Sequence, residues 1–296
     1  MDKKTKKQMI YLAGGAACLA AGAVCYLSWS NQSIETSNYT IRSSRLPEAF
    51  HGFRITQVSD LQSEYFGPNQ AHLLTDVRRT RPDIIVITGD LVDRRHTDFM
   101  ASMKAISGLL KIAPVYYVNG NHELLLPERK ILPFYEELKT MGVHVLFDRN
   151  EVIERDGEHI TIMGLSEQSL YAAKRVGWEL GKSFRTALLC DNLRTMREDV
   201  DDGFSIMLVH EPQFLEEYIT AGPDLIFAGH AHGGQFRLPN GQGLFSPGQG
   251  PLPKITSGIH KCGDARMIVS RGLGNSLFPI RLNNRPELVT AILAKE

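Results

Sequence analysis

The sequence has few cysteines, no excess of charge and no repeated or low-complexity segment. It contains four cysteines in 296 residues, and two of them, Cys18 and Cys25, lie in an apolar N-terminal run. Cys190 and Cys262 remain, too few for a zinc cluster or a disulfide framework, and we expect free thiols or one bridge between them. With 43% hydrophobic residues, the chain can fold as a globular protein around its own core.

The charge is balanced over the whole chain and slightly acidic beyond the N-terminus. The formal net charge is zero, but four lysines and one aspartate lie within residues 2–7, so 29 Lys and Arg face 32 Asp and Glu from residue 8 onward. Broad binding of nucleic acid requires a basic surface that displaces counterions. We therefore expect no extended nucleic-acid surface, although a local basic groove stays open.

Residues 9–29 contain no charged side chain. A helix of this length reaches about 30 Å, the thickness of a bilayer core. The lysines before this run orient its N-terminus toward the cytoplasm, and Tyr26 and Trp29 are typical of a membrane interface. We predict a cytoplasmic basic tail at residues 1–8 and a single-pass signal-anchor at residues 9–29, with the rest of the chain on the extracytoplasmic side of the cell membrane.

A cleavable signal peptide is the alternative interpretation of the same segment. Residues 21–23, Ala-Gly-Ala, resemble a small-residue cleavage site after a shorter apolar stretch. The apolar run continues through residues 24–27, which favours the uncleaved anchor. A mature protein lacking its first 23 residues would decide for the signal peptide.

After a polar segment at residues 30–38, which we interpret as a linker, residues 39–296 alternate apolar strand patterns with helical patterns and predict one α/β domain. The predicted strands are Phe53–Ser59, Asp83–Thr88, Val115–Val118, Val152–Arg155, His159–Met163, Ser205–Val209, Asp224–Phe227, Met267–Ser270 and Leu288–Leu293. The predicted helices are Gln70–Thr80, Asp98–Leu110, Glu128–Met141 and Arg185–Glu198. Asp156-Gly157 suits a hairpin turn, and residues 233–262 are rich in Gly and Pro and predict long loops.

Five predicted strands end in side chains that can bind a metal. These side chains are Asp60, Asp90, Asn121 with His122, His210, and His230 with His232. In open α/β sheets, sites collect at the carboxyl ends of strands. Carboxylate, amide and imidazole ligands suit divalent Mn, Fe, Zn or Co, and a carboxylate such as Asp90 can bridge two ions. Two ions would activate a water molecule without a Ser or Cys nucleophile.

In their order along the chain, these motifs resemble the calcineurin-like metallophosphoesterases. The matching blocks are Asp60-Leu61-Gln62, Gly89-Asp90-Leu91-Val92-Asp93, Gly120-Asn121-His122-Glu123, Val209-His210 and Gly229-His230-Ala231-His232. The resemblance covers residues 50–290 and is closest to the membrane-associated bacterial branch, which has C-terminal segments similar to residues 270–274 and 285–287. It implies metal-dependent hydrolysis of phosphoester or phosphodiester bonds on two mixed β-sheets, packed as a sandwich and flanked by helices.

The resemblance also implies a role for each matching residue. One metal would be held by Asp60, Asp90 and His232. The other would be held by Asp90, Asn121, His210 and His230. His122 would lie beyond the metals, where it could orient the phosphate or protonate the leaving oxygen.

The first motif departs from the family pattern, which is usually Asp-x-His, because this chain has Gln62. An amide oxygen can coordinate a metal, but it is a neutral and weaker ligand than imidazole. We expect the first metal to bind less tightly than the second. Manganese is the expected metal, with Fe, Zn, Mg or Co as alternatives.

Residues near these motifs also have ordinary structural explanations. Asp93 to Arg95 suit a solvated turn as well as a phosphate contact, and we expect Glu123 to be a hydrogen-bond partner rather than a ligand. The histidines with no supporting pattern are interpreted as surface or structural residues. They are His51, His72, His96, His144, His159 and His260.

The substrate is less constrained than the reaction. An anchor near lipid headgroups favours a phospholipid-like phosphoester. A nucleotide phosphodiesterase or nuclease is an alternative on the same scaffold. A catalytically silent, membrane-anchored binding protein is another, with Gln62 as the first sign of loss.

Overall fold

The computed structural model describes residues 2–198, 200–275 and 278–296. Its helices are α1 Lys3–Gln32, α2 Ala71–Thr80, α3 Phe99–Leu109, α4 Asn121–Leu124, α5 Glu128–Thr140, α6 Glu167–Leu180, α7 Lys182–Glu198 and α8 Leu215–Tyr218. Its strands are β1 Glu35–Ser43, β2 Arg54–Val58, β3 Ile84–Thr88, β4 Val115–Val118, β5 His144–Val145, β6 Arg149–Arg155, β7 Glu158–Gly164, β8 Ser205–Leu208, β9 Leu225–Ala228, β10 Phe245–Ser246, β11 Gly250–Pro251, β12 Gly258–Cys262, β13 Ala265–Val269 and β14 Glu287–Lys295.

The strands form two six-stranded mixed sheets and one two-stranded ribbon. The first sheet has the order β1-β14-β2-β3-β4-β5, and the second has the order β12-β13-β9-β8-β7-β6. In the first sheet only the β14–β2 pair is antiparallel. In the second sheet the outer pairs β12–β13 and β6–β7 are antiparallel, while β13, β9, β8 and β7 run parallel. The predicted α/β class with two mixed sheets is confirmed.

The two sheets pack face to face and are covered by helices on their outer faces. Ile84 and Val86 of β3 face the second sheet, where side chains from β7, β8, β9 and β13 meet them. Ile85 and Ile87 face the opposite way, onto α2, α3 and α5. Helices α6, α7 and α8 cover the outer face of the second sheet. Side chains alternate along a strand, so an uninterrupted apolar run is what a strand buried on both faces requires.

The β6–β7 hairpin follows the predicted turn chemistry. Arg155 pairs with Glu158 across a two-residue loop. The loop residues Asp156 and Gly157 have φ angles of 51° and 81°. Positive φ at both positions is the geometry that matches the twist of paired strands.

The prediction of a linker at residues 30–38 is wrong at both ends. Residues 30–32 belong to the last turn of α1. Residues 35–38 belong to β1, which pairs in parallel with β14 along its full length, from Glu35 opposite Glu287 to Ser43 opposite Lys295. Several side chains of β1 are polar and exposed because it is an edge strand held by its backbone ladder. Its composition therefore resembles a linker. Helices α4, α6 and α8 and strands β5, β10, β11 and β12 were not predicted either, and β10 to β12 lie within residues 233–262, which were expected to form long loops.

Helix α1 projects from the domain, and its last turn contacts it. Its apolar part is exposed, and residues Lys4–Gln32 are long and apolar enough to cross a membrane. Ser30 is buried and its hydroxyl donates a 3.4 Å hydrogen bond to the carbonyl of Arg281. Asn31 Oδ1 accepts hydrogen bonds from the Arg281 backbone N–H at 3.1 Å and from Asn275 Nδ2 at 2.9 Å. The helix is thus joined to Asn275 and Arg281 by specific polar contacts.

Candidate metal centre

The carboxyl ends of five strands from both sheets meet at one edge of the sandwich. Asp60 follows β2 and Asp90 follows β3, while Asn121 begins the short helix after β4. His210 and His230 follow β8 and β9 of the second sheet. The backbone N–H of His230 donates to both carboxylate oxygens of Asp60, at 3.0 and 3.1 Å, which ties the two sheets together at this edge.

The backbone is strained where it presents these side chains. The φ angles of Asp60, Asp90, His230 and His232 are 52°, 53°, 65° and 45°. Left-handed conformations are costly for residues other than glycine and collect at functional sites. Glycine is required at Gly89, whose φ is 86° and where an added Cβ would lie 2.5 Å from His210 Nδ1.

Two groups of potential metal ligands share one residue. The first group is Asp60, Asp90 and His232, and the second is Asp90, His210 and His230. Within each group the ligand atoms lie within 4.8 Å of one another, and all the side chains are buried. Asp90 is common to both groups, which is the arrangement that a bridging carboxylate requires.

The hydrogen-bond pattern of His210 points its second ring nitrogen at other potential acceptors. Its Nδ1 lies 2.8 Å from the carbonyl oxygen of Thr88, which can only accept, so Nδ1 carries the proton. Its Nε2 then faces Asn121 Oδ1 and His230 Nδ1, each at 3.1 Å, and Asp90 Oδ2 at 3.4 Å. Converging lone pairs repel one another unless a proton or a cation lies between them. This donor set therefore suits a divalent ion.

Gln62 lies beside the first group. Its Nε2 donates a 2.8 Å hydrogen bond to Asp90 Oδ2. Its Oε1 is buried and has no hydrogen-bond partner among the described residues. A buried acceptor without a partner costs free energy, and a cation would satisfy it. The side-chain oxygen of Gln62 thus suits the place that imidazole takes in the commoner pattern.

Burial and neighbouring charges set the protonation of the cluster. Burial would raise the pKa of Asp90, but His210 and His122 lower it well below its usual value. Burial lowers the pKa of His230 to about 4, and burial together with Arg281 lowers the pKa of His232 well below its usual value. Burial opposes the charged form of His210, but the Asp90 carboxylate raises the pKa of His210 well above its usual value, so a bound metal ion would displace a proton from this ring. The anionic carboxylate of Asp90 and the neutral imidazoles of His230 and His232 are already in the forms that bind metal ions.

Glu123 is a hydrogen-bond partner rather than a member of either group, as predicted. Its Oε2 accepts hydrogen bonds from the backbone N–H groups of Asp90 and Gly120, both at 2.9 Å. Its Oε1 accepts one from the N–H of Val92, also at 2.9 Å. One buried carboxylate therefore holds the loops after β3 and β4 in register.

His122 is buried next to Asp90. Its Nε2 lies 4.0 Å from Asp90 Oδ2. Its Nδ1 accepts a 3.2 Å hydrogen bond from the Arg94 backbone N–H and lies 3.9 Å from Asp93 Oδ1. Because Nδ1 accepts, the proton of the neutral ring resides on Nε2, on the side of Asp90. The Asp93 carboxylate accepts from the N–H groups of Arg95 and His96 and forms a turn, but this side chain is buried rather than solvated as expected.

Arg281 is the main residue that the sequence did not reveal. Its side chain is fully buried, and it donates to the carbonyl oxygens of Arg271 and Gly274 and to Asn275 Oδ1. Its NH2 group lies 3.4 Å from Nδ1 of His232. Burial lowers the pKa of Arg281 to about 10, and the Asp60 carboxylate opposes this shift. No motif surrounds Arg281, so only the fold shows that it lies behind a predicted ligand.

The structure brings all eight predicted site residues to this edge, and their assignment as ligands or catalytic groups stays a prediction. The six other histidines lie outside both groups. Two of them form surface pairs, His144 with Glu151 and His159 with Asp201. Cys190 and Cys262 are free thiols.

Several known proteins are similar to this chain. A model of the calcineurin-like phosphoesterase family matches residues 53–234. The metallophosphoesterase YkuE of Bacillus subtilis is 29% identical and covers 99% of this chain and 99% of its own length. The phosphodiesterase YaeI of Escherichia coli is 27% identical over 80% of each chain.

Two further proteins are more distant. A transmembrane protein with a metallophosphoesterase domain from Danio rerio is 23% identical over 84% of this chain and 55% of its own. Among solved structures, a dimetal phosphatase from Danio rerio is 14% identical and aligns with a TM-score of 0.48 over 82% of this chain and 93% of its own.

Proposed function

This chain belongs to the calcineurin-like phosphoesterase family and is a phosphoric ester hydrolase, and from this premise we propose that it hydrolyses phosphomonoester or phosphodiester bonds with a water molecule activated between two divalent metal ions. The observation that carries the proposal is that Asp90 belongs to both groups of buried potential ligands. A carboxylate shared by two sites is the element that brings two ions close enough for in-line attack at phosphorus.

We assign the residues to two metal positions. One position takes Asp60, Asp90 and His232, with Gln62 beside it. The other takes Asp90, Asn121, His210 and His230. When bound, the ions supply an activated water molecule and neutralise the phosphoryl oxygens. The first position offers mostly oxygen atoms, which suits Mn²⁺ or Mg²⁺ better than a tightly held Zn²⁺.

His122 is proposed to serve the leaving group. Its Nε2 carries a proton on the side of Asp90, and the ring is held by the Arg94 N–H from behind. An imidazole in this position can donate a proton to the departing oxygen or hold the phosphate by a hydrogen bond. The buried side chain of Glu123 keeps the loops after β3 and β4 aligned during this proton transfer.

Membrane attachment is proposed through residues 9–29, with the catalytic domain, from β1 at residue 35 to residue 296, on the extracytoplasmic side. The exposed apolar length of α1 and the lysines that precede it support this orientation. A cavity of about 380 Å³ lies between Val24 and Leu27 of α1 and Pro279 and Ile280 of the domain. Glu64, two residues beyond Gln62, also lines this cavity, so the cavity lies near the candidate metal centre. A phospholipid-like substrate could therefore extend its apolar groups along α1.

Hydrolysis of bis-aryl and mono-aryl phosphates with added Mn²⁺ tests the reaction. We expect turnover by the full-length protein in detergent, and a fall of more than about 1,000-fold for Asp90→Asn, because the shared ligand loses its charge. Asp76→Asn is the matched control, since Asp76 lies on α2, pairs with Arg79 and is outside both groups. A folded protein inactive with every divalent metal would instead support the silent binding protein.

A further inference from the structure

Exposed apolar side chains concentrate on the edge that carries the candidate metal centre. Three segments at this edge contain them: residues 178–184 at the tip of the α6–α7 hairpin, residues 244–252 after β9, and residues 278–282 after β13. We call these three segments the apolar rim. Large exposed apolar groups that recur along one face of a soluble domain mark a binding surface.

The hairpin tip is the most exposed part of the rim. Trp178, Leu180 and Phe184 are 68%, 60% and 56% exposed. Helix α6 begins directly after β7 and leads to Gly181, where the chain turns into α7 with a φ angle of 104°. These apolar side chains do not contribute to the core that α6 and α7 form with the second sheet.

Contacts at the base of the hairpin place its tip next to the candidate site. Lys174 of α6 forms a 2.7 Å ion pair with Glu211, the residue after His210. Trp178 also lines a cavity of about 630 Å³ together with Gln213 and Gly248, which follow β8 and β9. The tip therefore rises from the same edge as His210 and His230.

The third rim segment joins the end of α1. Phe278, Ile280 and Leu282 are 39%, 38% and 42% exposed. The hydroxyl of Tyr26 donates to Asn283 Oδ1 at 3.2 Å, and Ser30 contacts the Arg281 carbonyl, so the last turns of α1 and this segment are held together. The apolar run of α1 and the apolar rim thus form one continuous surface.

The charge of the hairpin also suits a lipid surface. Of the four Lys and Arg at residues 174–185, Lys174, Arg175 and Arg185 form ion pairs with glutamates, and Lys182, at the tip itself, has no ion-pair partner among the described residues. Tryptophan beside basic residues is typical of segments at the boundary between headgroups and acyl chains, and basic groups are attracted to anionic lipids. Continuity with the apolar run of α1 favours a bilayer over a protein as the occupant.

We propose that the apolar rim rests on the outer face of the bilayer, with the α6–α7 tip inserted among the headgroups as a second contact besides α1. This inference rests on the proposed function, in which residues 9–29 span that bilayer. The candidate metal centre then faces the membrane, and its substrate is a phosphoester presented at the lipid surface. Soluble phosphoesters would reach the site only from the side.

The two tryptophans of the chain allow a direct test. Trp29 lies at the end of α1 and Trp178 at the hairpin tip. The full-length protein would be reconstituted into vesicles of phosphatidylcholine and phosphatidylglycerol, with and without acyl-brominated lipid, which quenches tryptophan only on close approach. The Trp29→Phe variant reports Trp178 alone, and Trp178→Phe reports Trp29 alone. We expect comparable quenching of both.

Substitutions at the tip and elsewhere complete the test. In the Trp29→Phe background, Leu180→Asp with Phe184→Asp should remove the quenching of Trp178. Val152→Asp should leave it unchanged, because Val152 is 56% exposed but lies on β6, outside the apolar rim. Quenching of Trp29 without Trp178 would overturn the rim contact and leave the anchor standing. Quenching of neither tryptophan would overturn both the rim contact and the membrane anchor, while aryl phosphate hydrolysis would still test the proposed reaction.

Discussion

The amide nitrogen of Gln62 donates a 2.8 Å hydrogen bond to the Asp90 carboxylate, the group shared by both sets of potential ligands. The amide oxygen of the same residue is buried without a hydrogen-bond partner among the described residues. Imidazole at this position could donate or coordinate through either ring nitrogen, whereas the amide of Gln62 divides the two roles between two atoms. An asymmetry between the two metal positions follows from this division.

The first prediction concerns that asymmetry. We expect calorimetric titration with Mn²⁺ to show one tighter and one weaker site, with Gln62→Ala reducing the affinity of the weaker site about tenfold, or about 1.4 kcal/mol. Gln62→His should tighten the weaker site, since imidazole is the stronger ligand. The tighter site serves as the internal control because Gln62 is not among its proposed ligands. Two equally tight sites in the unmodified protein would contradict the prediction.

Much of this site could be predicted because potential metal ligands directly follow the apolar strands. The apolar run before Asp90 and the one before His210 each form a buried strand, and parallel strands bring their carboxyl ends to a common edge. The prediction needed only the residue types and their order along the chain. The hairpin at Asp156 and Gly157 was predictable for a similar reason, since its geometry depends on two adjacent residues.

The features that were missed depend on contacts far apart in the chain. Strand β1 exists because its backbone pairs with β14, some 250 residues later, and its polar side chains resemble a linker. Arg281 lies behind His232 because its guanidinium contacts the His232 ring and the Gly274 carbonyl, whereas His232 lies 49 residues earlier in the chain. An edge strand or a buried arginine of this kind has no local pattern, since the partner that stabilises it lies in another part of the sequence.

The second prediction concerns Arg281 as a positioning residue. Its guanidinium contacts His232 and is held by the carbonyl groups of Arg271 and Gly274. Residues that orient metal ligands typically contribute 10- to 100-fold to metal affinity or activity. We expect Arg281→Ala to weaken Mn²⁺ binding by about 10- to 100-fold, and Arg281→Lys to recover part of the loss, with folding checked by circular dichroism.

Arg285→Ala is the matched control for Arg281. Arg285 donates to the carbonyl groups of Ser33 and Ile34 and lies over the Trp29 ring, so it holds α1 rather than the metal centre. We expect this variant to bind Mn²⁺ with unchanged affinity. Equal effects of the two substitutions would mean that Arg281 acts only through overall stability.

The third prediction concerns His122 and the leaving group. A proton donor matters most when the departing alkoxide is strongly basic. We expect His122→Ala to slow hydrolysis of an alkyl phosphodiester by about 100-fold or more, and that of a nitrophenyl phosphodiester by less than about tenfold. His144→Ala is the control, because His144, on β5 at the edge of the first sheet, stacks on Tyr116 and pairs with Glu151 of β6. Equal losses for both leaving groups would assign His122 to phosphate binding.

The fourth prediction concerns the stability that Glu123 contributes. Removing its carboxylate leaves the backbone N–H groups of Asp90, Val92 and Gly120 without their acceptor. Each buried donor left without an acceptor costs about 1–3 kcal/mol, so three of them make a loss of about 3 kcal/mol a lower bound. Glu136→Ala, on the exposed face of α5, should change the unfolding free energy by less than about 0.5 kcal/mol.

The contribution of Glu123 should also depend on pH. Burial, followed by the nearby Asp90 charge, raises the pKa of Glu123 from 4.5 to about 7 in the folded protein. Between these values the folded state holds a proton that the unfolded state releases, so stability falls as the pH rises from about 4.5 to about 7. Glu123→Ala removes this part of the pH dependence, and its destabilisation should therefore be larger at pH 5 than at pH 8. Thermal unfolding of the two proteins in a chelating buffer measures the destabilisation at pH 5 and at pH 8. A destabilisation that grows with pH would show that Glu123 is ionised throughout.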